Sequence, residues 1–117
     1  MVDITSINKS ILERKKQLHI ELDHILDQLK ELGVLKVILF GSLNKDDIDL
    51  FSDIDLFIIM PNSKLTKEWI NFLYTNVERN IASDLVVYNQ KDFNDMLPRS
   101  TFLEQIIEKG KILYEKT

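Results

Sequence analysis

The first third of the chain carries apolar side chains at the spacing of a single helix face. They follow one another in steps of four and three residues, which aligns them in one stripe along an α-helix. The stripe consists of Leu18, Leu22, Ile25, Leu29 and Leu32. Gly33 follows, and glycine readily adopts the left-handed conformation that ends many helices. We therefore predict a helix over residues 1–33, whose stripe either packs on a sheet or forms a seam with another chain.

Three later apolar runs have the length of strands. They are rich in β-branched residues and are bounded by turn-forming or acidic residues, as buried strands often are. The runs are Val34–Phe40, Ser52–Met60 and Leu85–Tyr88. Between the first two, the polar, acidic segment Asn44–Asp49 predicts a loop or a short helix. Apolar residues at helical spacing predict a second long helix from Leu65 to Arg79.

The C-terminal part of the chain adds a third helix. Thr101 and Glu104 have the spacing of a capping box, so we expect a helix to start there and to stop at Gly110. Ile112–Tyr114 is then a short final strand or an apolar tail packed on the sheet. The order of elements predicts a small α/β (α+β) domain in which helices cover a mixed β-sheet.

Composition narrows the classes of function. A chain of 117 residues forms one domain, residues 1–117, and its net charge of −4 with only three arginines argues against an extended nucleic-acid surface. There are no cysteines, and no apolar run is long enough to span a membrane. The polar N-terminus does not resemble a secretory signal, so the cytoplasm is the expected compartment. A small anionic ligand carried by a metal, or a protein partner, suits this charge better.

The most informative chemistry lies in Asp53 and Asp55. Side chains alternate along a strand, so these two carboxylates share one face while Ile54 and Leu56 point to the other. Two neighbouring anions repel, and a divalent cation such as Mg²⁺ would relieve that repulsion through carboxylate oxygens. The alternative is a half-exposed strand whose outer face happens to be acidic.

Two further features come from the flanking segments. Gly41-Ser42 ends a predicted strand, and a glycine turn followed by a hydroxyl can hold phosphate oxygens. It can equally be an ordinary strand-end turn with Ser42 as a helix N-cap. Asp84 stands at the head of the third predicted strand. It joins the other carboxylates only if that strand neighbours the one with Asp53.

Together these residues resemble a known signature. Gly41-Ser42, ten intervening residues and then Asp53-Ile54-Asp55 before an apolar strand look like the polymerase β-type nucleotidyltransferase superfamily. The likeness runs from about Leu29 to the C-terminus and is greatest to the minimal nucleotidyltransferase (MNT) proteins. It implies the palm-like nucleotidyltransferase fold, with residues 1–17 as an N-terminal helical extension.

The resemblance also implies roles for individual residues. Gly41 and Ser42 would hold the β- and γ-phosphates of ATP. Asp53 and Asp55 would bind two Mg²⁺ ions, or Mn²⁺ in their place, and Asp84 would share the second ion and accept the proton of the attacking hydroxyl. Many relatives carry Arg-x-Arg-Gly after the Gly-Ser pair, whereas Leu43-Asn44-Lys45-Asp46 stands here. Lys45 is therefore the one candidate cation of that loop for the nucleotide.

Proteins of this branch are commonly paired with a HEPN-domain protein from a neighbouring gene. The resemblance implies an antitoxin that transfers AMP from ATP to a tyrosine of a HEPN ribonuclease toxin. One alternative is a weakly catalytic or non-catalytic binding module that neutralises its partner, which the altered loop would favour. Another is transfer to a small molecule of the aminoglycoside type. Homo- or hetero-oligomers are compatible with the exposed start of the first helix.

Overall fold

A computed structural model describes residues 4–41 and 53–117, with side chains of the first helix described from residue 8 onward. Four helices and four strands make up the described chain, with a 3₁₀ turn at Leu97–Arg99. In chain order they are α1 (Ile4–Glu31), β1 (Lys36–Phe40), β2 (Ile54–Met60), α2 (Thr66–Asn76), β3 (Ser83–Asn89), α3 (Gln90–Met96), α4 (Thr101–Lys109) and β4 (Lys111–Glu115). The predicted α/β class is confirmed.

The four strands form one mixed sheet in the order β3-β2-β1-β4. β1 runs antiparallel to both β2 and β4, whereas β2 and β3 are parallel and are joined through α2. The parallel pair places the beginnings of β2 and β3 side by side, and the antiparallel pair brings the end of β1 to the same edge. The last apolar segment is therefore a strand of the sheet rather than a loose tail.

Both faces of the sheet are covered. On one face, side chains of α1 and α2 pack against the inward residues of the strands in a core that includes Leu18, Ile25, Leu29, Ile54, Leu56, Ile58 and Leu73. On the other face, α3 and α4 cover a smaller core of Ile38, Phe57, Ile59, Phe93, Leu103 and Ile106. β2 is buried on both sides, which explains its nearly continuous apolar sequence.

The apolar stripe of α1 packs on the sheet. Four of its five predicted residues are buried, and Leu32 packs partly buried at the end of the stripe. Gly33 ends the helix as predicted, with a φ of 89°. The amides of Gly33 and Val34 donate to the carbonyls of Lys30 and Leu29, each at 3.2 Å, which is the Schellman pattern of capping bonds.

Four local predictions were wrong in detail. α2 ends at Asn76, three residues before the predicted Arg79. α3 was not predicted, because a seven-residue helix with a single buried side chain, Phe93, has too little periodicity to detect. The N-cap of α4 is Ser100 rather than Thr101, and its hydroxyl accepts from the Leu103 amide at 3.2 Å. β3 begins at Ser83, two residues earlier than predicted, because pairing with β2 continues along the polar residues.

The outer edge of β3 is closed by side chains of α2 and its following loop. The Tyr74 hydroxyl accepts from the Leu85 amide at 3.1 Å and lies 3.3 Å from the Leu85 carbonyl oxygen, to which it donates. Arg79 donates to the Ser83 carbonyl at 3.0 Å. The Ser83 carbonyl and both backbone groups of Leu85 are thus bonded by side chains, as a neighbouring strand would otherwise bond them. Within the described ranges, the helices are too short or too polar to cross a membrane.

Candidate active site

Gly41, Asp53, Asp55 and Asp84 meet at one edge of the sheet. Gly41 directly follows β1, Asp53 directly precedes β2, and Asp55 and Asp84 are the second residues of β2 and β3. Asp55 pairs with Phe40 on one side and with Asp84 on the other. The strand directions described above therefore bring these four residues together, although they are spread over 44 positions of the sequence.

Asp55 and Asp84 lie side by side at the start of two strands. They are paired in register on neighbouring parallel strands, so their carboxylates are close enough to interact. Burial raises the pKa of the Asp55 carboxyl above its usual value, and the charges of Asp84 and Asp53 raise it further. The folded protein therefore disfavours the charged form of Asp55, and a cation beside this carboxylate would relieve the same unfavourable interaction.

Gly41 allows Asp55 to lie against the backbone of the turn. Its φ of 77° is in the left-handed region, which favours glycine. A Cβ at this position would overlap the Asp55 carboxylate. The glycine predicted from sequence is thus required twice, once by the backbone conformation and once by the close approach of the carboxylate.

The donor set of the site suits a hard divalent cation. Asp53 is exposed, and its charge acts on half-buried Asp55. Carboxylate oxygens of this kind are the ligands that Mg²⁺ takes together with substrate phosphates. Within residues 4–41 and 53–117, no three acidic, histidine or cysteine side chains are already arranged around one point. The site therefore offers a pair in contact and a third carboxylate nearby, rather than a closed protein cage.

An open cavity of about 520 Å³ adjoins the carboxylates on the β3 side. Asp53 and Asp84 are among its lining residues, and the loop between α2 and β3 supplies most of the others. Arg79 lies in that wall, with its guanidinium carbon 4.4 Å from the centroid of the Tyr74 ring. This stacking and the bond to Ser83 restrict the Arg79 guanidinium within a cavity that Asp53 and Asp84 also line.

Helix α1 fixes this loop from behind. The side-chain amide of Gln28 donates to the Glu78 carbonyl at 2.8 Å and accepts from the Glu78 amide at 2.7 Å. Glu21 is buried on the same helix, and its carboxylate accepts from the Asn80 amide. These contacts join residues 50 to 59 positions apart in the sequence, so the first helix positions the wall of the cavity.

The residues predicted from sequence divide into two groups. The structure brings Gly41, Asp53, Asp55 and Asp84 together, and the condition set for Asp84, that β3 neighbours β2, is met. Ser42, Lys45 and the segment Asn44–Asp49 lie outside the described residues.

Sequence reasoning missed Arg79 and Glu21. A signal for Glu21 was present, because it follows Leu18 by three residues and so falls within the apolar stripe of α1. A charged residue at such a position usually has a specific partner.

Comparison with known proteins identifies the family. The family model for polymerase β nucleotidyltransferases matches residues 20–117, most of the chain. The chain belongs to this family. No curated protein matches it. Among solved structures it resembles a crystal structure from Sulfolobus solfataricus with a provisional nucleotidyltransferase assignment, at a TM-score of 0.64 and 14% identity, over 92% of this chain and 88% of the other.

Family membership relates the carboxylates at this end of the sheet to a class of reaction. The chain is a nucleotidyltransferase-type domain, and the class of reaction that this supports is nucleotidyl transfer. In this chain Asp55 lies at the start of β2 and is only half-buried, whereas Ile54 and Leu56 on either side of it are buried. At such a position a carboxylate reaches a ligand while its neighbours along the strand remain in the core.

Proposed function

We propose that this protein transfers AMP from ATP, with Mg²⁺, to a tyrosine hydroxyl of a HEPN-domain toxin, and so acts as its antitoxin. The observation that carries the transferase part is the contact of Asp55 with Asp84 beside Asp53 and Gly41. The resemblance to minimal nucleotidyltransferases supports the protein acceptor.

Each residue at this end of the sheet would have its own role in the proposed reaction. Asp53 and Asp55 would hold Mg²⁺, which supplies charge stabilisation to the phosphates. Gly41 would let the backbone approach those phosphates. A bond forms between the acceptor oxygen and the α-phosphorus, the bond from that phosphorus to pyrophosphate breaks, and the hydroxyl proton passes to a carboxylate oxygen of Asp84. Proximity to Asp84 therefore defines the acceptor side of the site.

The cavity on the β3 side is suited to an acceptor presented by another protein. It is open, with a volume of about 520 Å³, and Asp84 is one of its lining residues. A side chain that projects from a partner can enter such a cavity, whereas a small molecule would leave much of its surface in water. The net charge of −4 also favours a protein surface over a nucleic-acid backbone.

The decisive experiment measures the intact mass of the neighbouring-gene product after incubation with this protein, ATP and Mg²⁺. We expect a gain of one or more AMP units. The double variant Asp53→Asn/Asp55→Asn should give no gain, and Asp27→Asn, a change of an exposed aspartate on α1, serves as the matched control. A gain that persists in the double variant would contradict the carboxylate assignment.

The same experiment separates catalysis from masking. If a stable complex forms with no mass gain in the wild-type reaction, the protein neutralises its partner by binding alone. The double variant would then neutralise the partner as well as the wild type does. Loss of neutralisation in a folded double variant would instead show that the chemistry is needed.

A further inference from the structure

A second cleft borders the carboxylates on the side opposite the β3 cavity. It lies between the end of β1 and the outer part of α4 and has a volume of about 190 Å³. Gly41 forms its border with the active site, and Phe40, Phe102, Gln105 and Lys109 are among its lining residues. Its walls are mainly apolar, in contrast to the acidic cavity beside Asp84. The apolar cleft and the acidic β3 cavity therefore offer different chemistry to the donor nucleotide and to the acceptor.

Phe102 is the most unusual side chain of this cleft. It is 50% exposed although it is a large aromatic residue, and most such surface on a domain is buried. Its ring packs edge-to-face against Phe40, with 6.0 Å between centroids and an angle of 85°. This packing restricts the ring while leaving aromatic surface open to a ligand. An exposed aromatic surface beside a polar site is typical of a stacking platform for a nucleobase.

The polar groups of the cleft complement a nucleotide. Gln105 carries a side-chain amide, which can both donate to and accept from the edge of a base. Lys109 brings a positive charge to the same cleft as Gly41. A mainly apolar cleft with a few polar groups is the usual form of a small-molecule site.

Gly110 makes the cleft possible by letting α4 end close to β1. A Cβ at this position would overlap both the Ile38 side chain and the Ile106 carbonyl oxygen. Its φ of −74° is ordinary, so the requirement for glycine is one of space. The close approach sets where Phe102 and Lys109 stand relative to Gly41.

We infer that the cleft between β1 and α4 binds the nucleoside of the donor nucleotide, with the base stacked on Phe102 and the phosphates directed past Gly41 to the carboxylates. This inference rests on the proposed function and adds the orientation of the substrates: the donor nucleoside lies on the β1 side and the acceptor on the β3 side. Phe102 and Gln105 are then the residues that determine the choice of base.

The test compares two ligands that share phosphates but differ in the nucleoside. Binding of ATP and of inorganic tripolyphosphate, each with Mg²⁺, is measured by calorimetry for the wild type, Phe102→Ala and Phe102→Tyr. We expect Phe102→Ala to weaken ATP about tenfold and to leave tripolyphosphate unchanged, and Phe102→Tyr to retain ATP binding. Ile107→Ala is the matched control, because Ile107 is an exposed apolar residue of the same helix that does not line the cleft.

Each outcome has a distinct meaning. If Phe102→Ala binds ATP as tightly as the wild type does, the inference is overturned. The proposed function still stands in that case, because the wild type binds ATP. An equal loss for both ligands also overturns it, because the cleft would then shape the phosphate site rather than hold the nucleoside. A wild-type protein that binds neither ligand would overturn the proposed function itself.

Discussion

Asp55 and Asp84 are paired in register across two parallel strands, and the charge of Asp84 raises the pKa of the half-buried Asp55 carboxyl. Strand pairing keeps the two backbones adjacent, so the two carboxylates repel each other whenever both are charged. A proton or a cation can relieve this repulsion, and so can loss of the native structure. The pair is therefore a position that favours positive charge and a local weakness of the fold.

Removing the charge of Asp55 should stabilise the unliganded protein. Asp55→Asn eliminates the repulsion from Asp84 and Asp53 and the burial of a charged group, while keeping the shape of the side chain. We expect a gain of about 1 kcal/mol in the free energy of unfolding at pH 7, within the range usual for relief of a strained active site. Urea denaturation measures it, with Asp27→Asn as control. A loss of stability would contradict this picture.

The stability difference between wild type and Asp55→Asn should depend on pH. The pKa of Asp55 is raised in the folded state above its ordinary value of 3.8, so the native protein binds the proton more tightly than the unfolded chain. This contribution is fully present below pH 3.8 and is lost as pH rises through the folded-state pKa. We expect the free energy of unfolding of Asp55→Asn, relative to that of the wild type, to increase between about pH 4 and pH 7. Unfolding curves across that range test this direction. A stability difference that becomes smaller as pH rises would refute the prediction.

Magnesium should stabilise the wild type and release protons when it binds. A cation at Asp53 and Asp55 favours the ionised form of Asp55, whose pKa is raised in the free protein, so affinity should rise with pH. At ten times its Kd, a ligand adds about 1.4 kcal/mol to the free energy of unfolding. Thermal unfolding with and without Mg²⁺ gives the shift. Equal stabilisation of wild type and Asp55→Asn would show that the ion binds elsewhere.

Two glycines with positive φ should respond differently to the same substitution. Gly41→Ala brings a methyl group into the Asp55 carboxylate, whereas Gly33→Ala meets nothing within 4 Å. We expect Gly33→Ala to cost about 1 kcal/mol for its backbone conformation and to leave Mg²⁺-ATP binding intact. Gly41→Ala should cost about 2–3 kcal/mol and abolish nucleotide binding. Calorimetry and urea denaturation of both variants test the contrast, which fails if both retain binding.

Glu21 should act as a positioning residue for the wall of the β3 cavity. Glu21→Ala leaves the Asn80 amide without its acceptor, at a cost of about 2 kcal/mol in the free energy of unfolding. Glu21→Gln keeps an oxygen acceptor and should cost less. Because Arg79 precedes Asn80, Glu21→Ala should also raise the KM for the acceptor while leaving the KM for ATP unchanged. An effect confined to ATP would contradict the assignment of this cavity.

The site was largely predictable because its residues sit at strand ends. Alternation along β2 gives Asp55 its face, and the Gly-Ser to Asp-x-Asp spacing carries the family signature. Whether Asp84 joined them depended on which strands pair, and spacing along one chain does not determine the order of strands in a sheet. The resemblance supplied that information.

Other features depend on contacts that produce no periodic pattern in the sequence. α3 is too short for its pattern to stand out, and Arg79 acquires its place from stacking on Tyr74, a contact set by the packing of α2 against β3. Phe102 was part of a predicted helix, but its exposure depends on how closely Gly110 lets α4 end against β1.

The bonding of Tyr74 to both backbone groups of Leu85 has a consequence for how this sheet can grow. At Leu85 the outward amide and carbonyl are already bonded by a side chain, so β3 is a poor template for an added strand at that point. The other edge of the sheet is β4. An extended segment that adds to this sheet, whether from a partner or from a second copy of the chain, is therefore favoured along Lys111–Glu115, away from the mouth of the acceptor cavity.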